Sequence, residues 1–249
     1  MTTDIRHAEV EILPDNDAVA EKMAEILIEA IHRKLTSGAP VARIALSGGS
    51  TPKRLFEILA RPDMAGRIDW KRVELFYGDE RHVPAGHADS NHTMALKTLL
   101  SHVPIPPGQV HPVPTAGTPA QDAALYQQAL QKAYGSDVLQ KGRPLFDVVM
   151  LGLGPDGHTA SLFPDQPVLG EKNLWVSTAA PTHVPHERVT LTYPALASSD
   201  LVVFLITGKG KVPMLKRLRE GDPSIPAAHV TSDGRILILA DRAAAGETP

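Results

Sequence analysis

A glycine-rich turn that carries an aspartate and a histidine is the stretch of this sequence best suited to chemistry. It lies within residues 146–164, where the apolar run 148–151 precedes Asp156 and His158. The run is continuous, which is typical of a strand buried on both faces of a parallel sheet, and such strands present ligand-binding loops at their carboxyl ends. An imidazole exchanges protons near neutral pH, so His158 is a candidate general base for water, and Asp156 could orient it. Asp156 could equally cap a short helix.

The same stretch spells G-x-G-x-x-G through Gly152, Gly154 and Gly157, which is the pattern of a dinucleotide-binding turn. That pattern requires the third glycine to open a full helix, and an acidic residue to end the next strand and bind the ribose. Here Pro164 follows within two turns of Gly157, and Glu171 precedes the next predicted strand instead of ending it. The sequence therefore argues against a nicotinamide enzyme.

A second turn, at residues 47–51, is the clearest candidate for binding an anion. It follows a predicted strand and enters a predicted helix, for which Thr51 is the expected N-cap and Pro52 the first residue. Backbone N–H groups, the positive end of the helix dipole and hydroxyl groups converge at such a turn, which suits a phosphate. The alternative is an ordinary strand-to-helix turn. The candidate residues are Ser47, Gly48, Gly49, Ser50 and Thr51.

Three basic residues lie near the expected carboxyl edge of the sheet. Arg81 ends the segment GDER at 78–81, Arg188 opens the segment RVTLTYPAL, and Lys211 follows a later strand. A guanidinium or ammonium group at this edge can face an anion held by the glycine turn. The alternative for each is a solvated charge: GDER could be a surface ion-pair cluster, and Lys209 competes with Lys211 for the same role.

Histidine spacing and the absence of cysteine bear on metal binding and on the nucleophile. The sequence contains no cysteine, which excludes disulfides, thiolate nucleophiles and thiolate metal ligands. His82, His87 and His92 do not share a helical face, and His183 and His186 lie in a proline-flanked loop, so we predict no metal site at either group. A G-x-S-x-G elbow is also absent, and water is therefore the expected nucleophile.

The overall charge and hydropathy restrict the class of partner. The formal net charge of -3 argues against a general nucleic-acid binder, so an anionic ligand must be held by a local site. Hydrophobic residues make up 43% of the chain, which allows a sizeable core. The amino-terminal residues are acidic where a signal peptide has an apolar core, and no apolar run reaches membrane-spanning length. We therefore expect a soluble cytoplasmic protein that binds neither membranes nor nucleic acid.

Hydrophobic periodicity and turn residues predict alternating strands and helices. The predicted strands are 8–13, 43–46, 73–77, 148–151, 174–178, 188–192, 201–206 and 236–239. The predicted helices are 17–35, one that follows the turn at 47–51, 90–100, 119–134 and 211–219. This alternation predicts an α/β fold with a mostly parallel central sheet and helices on both faces. We expect one domain over residues 1–249 with a loose tail at 241–249. The proline-rich segment 101–120 is interpreted as a crossing loop, the alternative being an interdomain linker.

Five segments, in this order along the chain, resemble the 6-phosphogluconolactonase family. They are SGGSTP at 47–52, GDER at 78–81, LGLGPDGHTASLFP at 151–164, RVTLTYPAL at 188–196 and the turn at 208–211. The resemblance implies a three-layer α/β/α fold with Rossmann-like topology, of the type shared with glucosamine-6-phosphate deaminase and ribose-5-phosphate isomerase. It also implies hydrolysis of 6-phospho-D-glucono-1,5-lactone to 6-phospho-D-gluconate in the oxidative pentose phosphate pathway, without a cofactor.

The resemblance also implies roles for the candidate residues. His158, accompanied by Asp156, is the base that activates water against the lactone carbonyl, and Arg81 helps to bind substrate and to stabilise developing charge. The turn at 47–51 falls where the family holds its sugar phosphate, and Arg188 and Lys211 would contact either the phosphate or the sugar hydroxyls. The expected partner is a small sugar-phosphate lactone, and the expected assembly is a monomer or a weak homo-oligomer.

Two other functions fit parts of the same pattern. A sugar-phosphate deaminase or isomerase on this fold would use the phosphate turn but abstract a proton beside a carbonyl. Deaminases carry Asn-Glu after the phenylalanine of their DGH segment and Asp-Glu-Tyr at the second strand end, where this chain has Pro-Asp at 164–165 and Asp-Glu-Arg at 79–81. A non-catalytic sugar-phosphate sensor would keep the turn and lose the base, but His158 and Asp156 are both present.

Overall fold

A six-stranded parallel sheet forms the centre of the computed structural model, which describes residues 2–247. In chain order, the strands are β1 (Thr3–Asp4), β2 (Glu9–Leu13), β3 (Ala42–Leu46), β4 (Val73–Tyr77), β5 (Asp79–Arg81), β6 (Val148–Leu151), β7 (Val176–Ala179), β8 (Arg188–Leu191), β9 (Leu201–Ile206), β10 (Thr231–Ser232) and β11 (Arg235–Asp241). The α-helices are α1 (Asn16–Thr36), α2 (Ser50–Leu59), α3 (Pro62–Ala65), α4 (Asn91–Ala95), α5 (Pro119–Tyr134), α6 (Tyr193–Ala197), α7 (Val212–Arg219) and α8 (Arg242–Ala245). A π-helical segment, Leu96–Leu100, continues α4.

The central sheet has the strand order β2-β11-β9-β6-β3-β4, and every neighbouring pair in it is parallel. Its middle strands are buried on both faces because their residues are apolar without interruption: every residue of β6 and β9 is buried. The predicted bounds of β4, β6 and β9 agree with the structure to the residue. The predicted α/β fold with three layers and a mostly parallel sheet is confirmed.

The two longest helices begin where the sequence supplies a capping side chain. The carboxylate of Asp15 accepts a hydrogen bond from Ala18 N–H at the start of α1. Thr118 and Gln121 form a reciprocal capping box at the start of α5. α1 buries residues that recur at helical spacing, namely Val19, Ala20, Met23, Ala24, Leu27, Ile28, Ala30 and Ile31.

A second, antiparallel sheet with the order β5-β8-β7 was not predicted. The chain leaves the central sheet at Gly78, whose N–H donates to the Leu46 carbonyl at 2.8 Å and whose carbonyl accepts from Leu191 N–H at 2.8 Å. β5 then pairs with β8, so that Arg81 lies opposite Arg188. Three consecutive charged residues do not indicate a strand. Residues 79–81 form a strand only because they pair with a segment more than a hundred residues later in the chain.

The proline-rich segment 101–120 runs along the edge strand β4. Val110 bridges to Leu75, and His111 N–H donates to the Leu75 carbonyl at 2.9 Å. The His111 ring also stacks on Phe76 with its centroid 4.3 Å away. The segment therefore packs on the sheet that precedes it, as expected of a crossing loop, and it covers an edge that would otherwise present unpaired backbone groups.

The predicted loose tail is wrong for residues 242–245, which form α8. The Asp241 carboxylate accepts hydrogen bonds from Ala244 N–H at 2.7 Å and from Gly208 N–H at 2.9 Å, so it joins the strand end, the helix and the turn after β9. Residues 248 and 249 of the expected tail lie outside the described residues. Across residues 2–247, no helix has the length and apolar character needed to cross a membrane.

Candidate active site

A cleft of about 260 Å³ opens at the carboxyl ends of β3, β4, β6 and β9. The chain proceeds from β3 to β4 on one side and later to β6 on the other, so the direction of strand order reverses at β3. Ligands of open α/β sheets bind at such a reversal. The predicted residues that line the cleft are the turn at 47–51, Arg81, His158 and Lys211.

The glycine turn at 47–51 joins β3 to α2 with a different cap from the one predicted. α2 begins at Ser50, and its N-cap is Gly49 with φ 107°, a left-handed conformation that favours glycine. The predicted N-cap at Thr51 is wrong, because its hydroxyl bonds Asn16 Oδ1 at 2.8 Å and Thr207 Oγ1 at 2.7 Å instead. No side chain within residues 2–247 caps this helix, so the N–H groups of its first turn face the cleft without a side-chain acceptor.

His158 is held directly by Asp156. Its Nδ1 lies 2.5 Å from Asp156 Oδ1, and its backbone N–H donates to the same oxygen at 3.1 Å. Asp156 does not cap a helix, because residues 157–164 contain turns and an isolated bridge between Thr159 and Leu162 but no helix. The ring packs on Phe163 with centroids 4.2 Å apart, and a side chain at Gly154 would place its Cβ 2.1 Å from Nδ1. The second ring nitrogen, Nε2, is the one left to exchange a proton in the cleft.

Asp156 has a second imidazole partner that the sequence did not reveal. His183 Nε2 lies 3.1 Å from Asp156 Oδ2, and its ring meets Phe163 edge-on. Burial raises the pKa of Asp156, but the hydrogen bonds from His158 and its electrostatic interaction with the carboxylate outweigh that effect, so the pKa lies below its usual value. The carboxylate is therefore ionised at neutral pH. Nothing in the local pattern around His183 indicates this contact, which joins residues 27 apart in sequence.

The acidic residues of GDER are buried, so the interpretation as a surface ion-pair cluster is wrong. Asp79 is 8% exposed and Glu80 is 2% exposed. The Glu80 carboxylate accepts hydrogen bonds from the N–H groups of Asn91 and His92 at the start of α4, at 2.7 and 2.8 Å. Burial raises the pKa of Glu80, and these backbone hydrogen bonds only partly oppose the effect. The Asp79 carboxylate accepts from Ser161 Oγ at 2.6 Å.

Arg81 and Arg188 lie side by side, but only Arg81 lines the cleft. Arg81 Nη1 donates to the Asp89 carbonyl at 2.6 Å. Arg188 is 6% exposed and donates to the carbonyls of Pro185 and His186 at 2.6 and 2.7 Å. Burial lowers the pKa of Arg188, and the positive charge of Arg81 adds to that effect. The structure thus brings Arg188 next to the cleft without making it part of the cleft wall.

Lys211, and not Lys209, faces the cleft. Its Nζ donates to the Leu153 carbonyl at 2.5 Å, which ties the turn after β9 to the turn after β6. Burial lowers the pKa of Lys211, and the charge of Asp156 opposes this. Lys209 is exposed to solvent.

Asn91 is a cleft residue that the sequence placed at a helix start without assigning it a role. Its Nδ2 donates to the Asp79 carbonyl at 3.0 Å, and its Oδ1 packs so closely on Gly48 that a Cβ there would lie 2.0 Å away. Ala160 also lines the cleft with φ 47°, a left-handed conformation that is uncommon outside glycine and that often occurs at functional sites.

Fold and cleft together define the class: a three-layer α/β/α protein whose site at the switch point combines a glycine turn, basic side chains and a histidine–carboxylate pair. The chain belongs to the family of glucosamine-6-phosphate isomerases and 6-phosphogluconolactonases, whose family model matches residues 14–238.

Similar proteins include two cyanobacterial enzymes and a trypanosomal structure. A 6-phosphogluconolactonase of Nostoc sp. is 36% identical over 242 residues, which cover 96% of this chain and 97% of that protein. A 6-phosphogluconolactonase of Synechocystis sp. is 40% identical over 206 residues, covering 81% of this chain and 82% of that protein. The structure of 6-phosphogluconolactonase from Trypanosoma cruzi superposes with a TM-score of 0.81 at 28% identity and covers 96% of each chain.

Proposed function

We propose that this protein hydrolyses 6-phospho-D-glucono-1,5-lactone to 6-phospho-D-gluconate, a step of the oxidative pentose phosphate pathway. The observation that carries the proposal is the combination, in one cleft, of the open helix N-terminus at residues 47–51 with the His158–Asp156 pair. A phosphorylated lactone needs both: a site for its phosphate and a base for the water that attacks its carbonyl. The relatives named 6-phosphogluconolactonase support the same assignment.

His158 acts as the general base in the proposed reaction. Its Nδ1–H donates to Asp156, which fixes the tautomer and leaves Nε2 to take a proton from water. The hydroxide equivalent adds to the lactone carbonyl carbon, and the tetrahedral intermediate collapses by breaking the bond to the ring oxygen. The imidazolium of His158 returns its proton to that oxygen. The new carboxylic acid ionises at neutral pH, so each turnover releases one proton to solvent.

Charge in the cleft is proposed to serve the two negative centres of the substrate. Backbone N–H groups and the positive dipole end of α2 suit the phosphate. Arg81, at the rim, stabilises the oxyanion that develops on the carbonyl oxygen, and Lys211 supplies a second positive charge near the turn. Arg188 is buried and does not line the cleft, so it is proposed to act on the substrate only through its positive charge next to Arg81.

The direct test is proton release from freshly generated lactone, followed in a pH-stat with the spontaneous rate subtracted. The unmutated protein should accelerate hydrolysis, and His158→Gln should lower kcat by about 10²–10⁴-fold, the range of a positioned general base. His102→Gln, a change at an exposed histidine outside the cleft, is the matched control and should keep the wild-type rate. A wild-type rate equal to the spontaneous one would refute the proposal, and ammonia release from glucosamine-6-phosphate would favour the deaminase alternative.

The phosphate turn can be tested without turnover. 6-Phosphogluconate or inorganic phosphate should slow hydrogen exchange at the backbone amides of residues 47–51, because those N–H groups would then donate to phosphate oxygens. Unchanged exchange at saturating ligand would remove the turn from the proposed site. A turn that is protected in a protein that hydrolyses no lactone would instead indicate the sugar-phosphate sensor.

A further inference from the structure

His87 and His186, which lie in separate histidine groups along the sequence, meet beside Asp89 at the protein surface. His87 and Asp89 lie in the loop between β5 and α4, and His186 lies in the loop between β7 and β8. His186 Nε2 is 2.9 Å from Asp89 Oδ2, and His87 Nδ1 is 4.0 Å from the same oxygen. Each of the three side chains offers one atom that could bind a metal ion, and these three atoms all lie within 4.8 Å of one another.

Two imidazoles and one carboxylate are a common ligand set for Zn²⁺ and related first-row ions, with water in the fourth position. A tetrahedral zinc ion with bonds of about 2.0–2.1 Å spaces its ligand atoms roughly 3.3 Å apart. The distances of 2.9 and 4.0 Å lie on either side of that spacing. The side chains are 28% to 53% exposed, so they can adjust by side-chain rotation and an ion can reach them from solvent.

We propose that His87, Asp89 and His186 form a binding site for a divalent transition metal ion, with Zn²⁺ as the ion that best fits the ligand set. This replaces the prediction that neither histidine group binds metal. The two histidine groups are far apart along the chain, and the pairing of β5 with β8 brings one loop from each group together.

The same residues that would bind the ion also hold the two arginines beside the cleft. The Asp89 carbonyl accepts from Arg81 Nη1 at 2.6 Å, and the His186 carbonyl accepts from Arg188 Nη1 at 2.7 Å. His186 has φ 71°, and with this backbone its carbonyl faces the arginine while its ring faces Asp89. An ion bound by the side chains would therefore restrain the carbonyls that orient both guanidinium groups.

Calorimetric titration of Zn²⁺ into the full, chelator-treated chain tests the site without substrate, so its outcome is separate from that of the proposed hydrolysis. His186→Asn keeps a residue that tolerates positive φ. His87→Asn keeps an acceptor for Asp89 N–H, which donates to His87 Nδ1 at 3.1 Å and would release that nitrogen when it binds the ion. Each variant should bind Zn²⁺ at least about tenfold more weakly, since even loss of a residue that only supports a ligand costs about 10–100-fold. His32→Asn, at an exposed histidine of α1, should bind as the wild type does.

Two further readouts locate the ion. Co²⁺ should give the visible absorption of a four-coordinate nitrogen and oxygen site in the wild type, and His186→Asn should lose it. Zn²⁺ should also slow hydrogen exchange in the loops 82–90 and 180–187. No Zn²⁺ binding, or equal binding by wild type and His186→Asn, would overturn the proposal. So would binding that is lost in His183→Asn and kept in His186→Asn, because the ion would then lie at Asp156.

Discussion

Replacing Asp156 by asparagine isolates the charge that holds the imidazole of His158, the proposed general base. Asparagine keeps the size of the side chain, and its amide oxygen can still accept the hydrogen bond from the His158 backbone N–H. Its amide NH₂ group can also donate to His158 Nδ1, which would select the imidazole tautomer that carries the proton on Nε2. A hydrogen bond to a charged group contributes about 1.5–3 kcal/mol, which corresponds to roughly 10–160-fold in rate. His158 and Asp156 are 24% and 27% exposed, and solvent screens the pair, so we expect the lower half of that range.

The assay is the pH-stat measurement of kcat for fresh 6-phosphogluconolactone, with the spontaneous rate subtracted. Asp156→Asn should lower kcat by about 10–50-fold and leave KM within a factor of about two, because the side chain lies behind His158 and not in the cleft wall. Asp165→Asn is the matched control: it makes the same chemical change in the same loop, at φ 61°, which asparagine tolerates. A kcat for Asp156→Asn equal to that of Asp165→Asn would refute the orienting role.

Three further predictions concern the same cleft. Gly154→Ala should lower the free energy of unfolding, measured in urea, by about 1–3 kcal/mol and should also lower kcat, because the new Cβ would lie 2.1 Å from His158 Nδ1. Gly152→Ala is the control: a Cβ there meets nothing within 4 Å, so it should change the free energy of unfolding by less than about 0.5 kcal/mol. Lys211→Met should raise KM for the lactone by about 10-fold or more with a smaller effect on kcat, measured by initial rates, and an unchanged KM would remove Lys211 from substrate binding. Burial raises the pKa of Asp156, but its interactions with His158 outweigh burial and lower the pKa in the folded state. The stabilising contribution of the Asp156 carboxylate is therefore present above the unfolded pKa of about 3.9 and is lost as pH falls through the folded pKa. The difference in unfolding free energy between wild type and Asp156→Asn should shrink below about pH 4, and a constant difference would contradict this.

The middle of the parallel sheet could be predicted from sequence because β6 and β9 are continuous apolar runs followed closely by glycine. The predicted bounds of both strands are confirmed. The turns after these strands are predicted to be candidate sites because parallel strands place their carboxyl ends at one edge of the sheet. Helix caps were less predictable: Gly49 replaced Thr51 as the N-cap of α2, because the Thr51 hydroxyl is bound by Asn16 and Thr207 from distant segments.

The sequence by itself determined the fold class, through its alternation of strands and helices, and it placed the glycine turn, Asp156 and His158 after buried strands, since these features depend on residues that are neighbours along the chain. The sequence leaves open whether Asp156 bonds His158 or caps a helix, and the structure shows the bond to His158. Only the tertiary structure decided which charges face the cleft. Glu80 is buried against the start of α4, and Arg188 lies beside Arg81 but outside the cleft lining, because β5 pairs with β8. The contacts of His183 with Asp156 and of His186 with Asp89 join residues 27 and 97 apart in sequence. Such contacts follow from strand pairing and loop packing, which local periodicity does not encode.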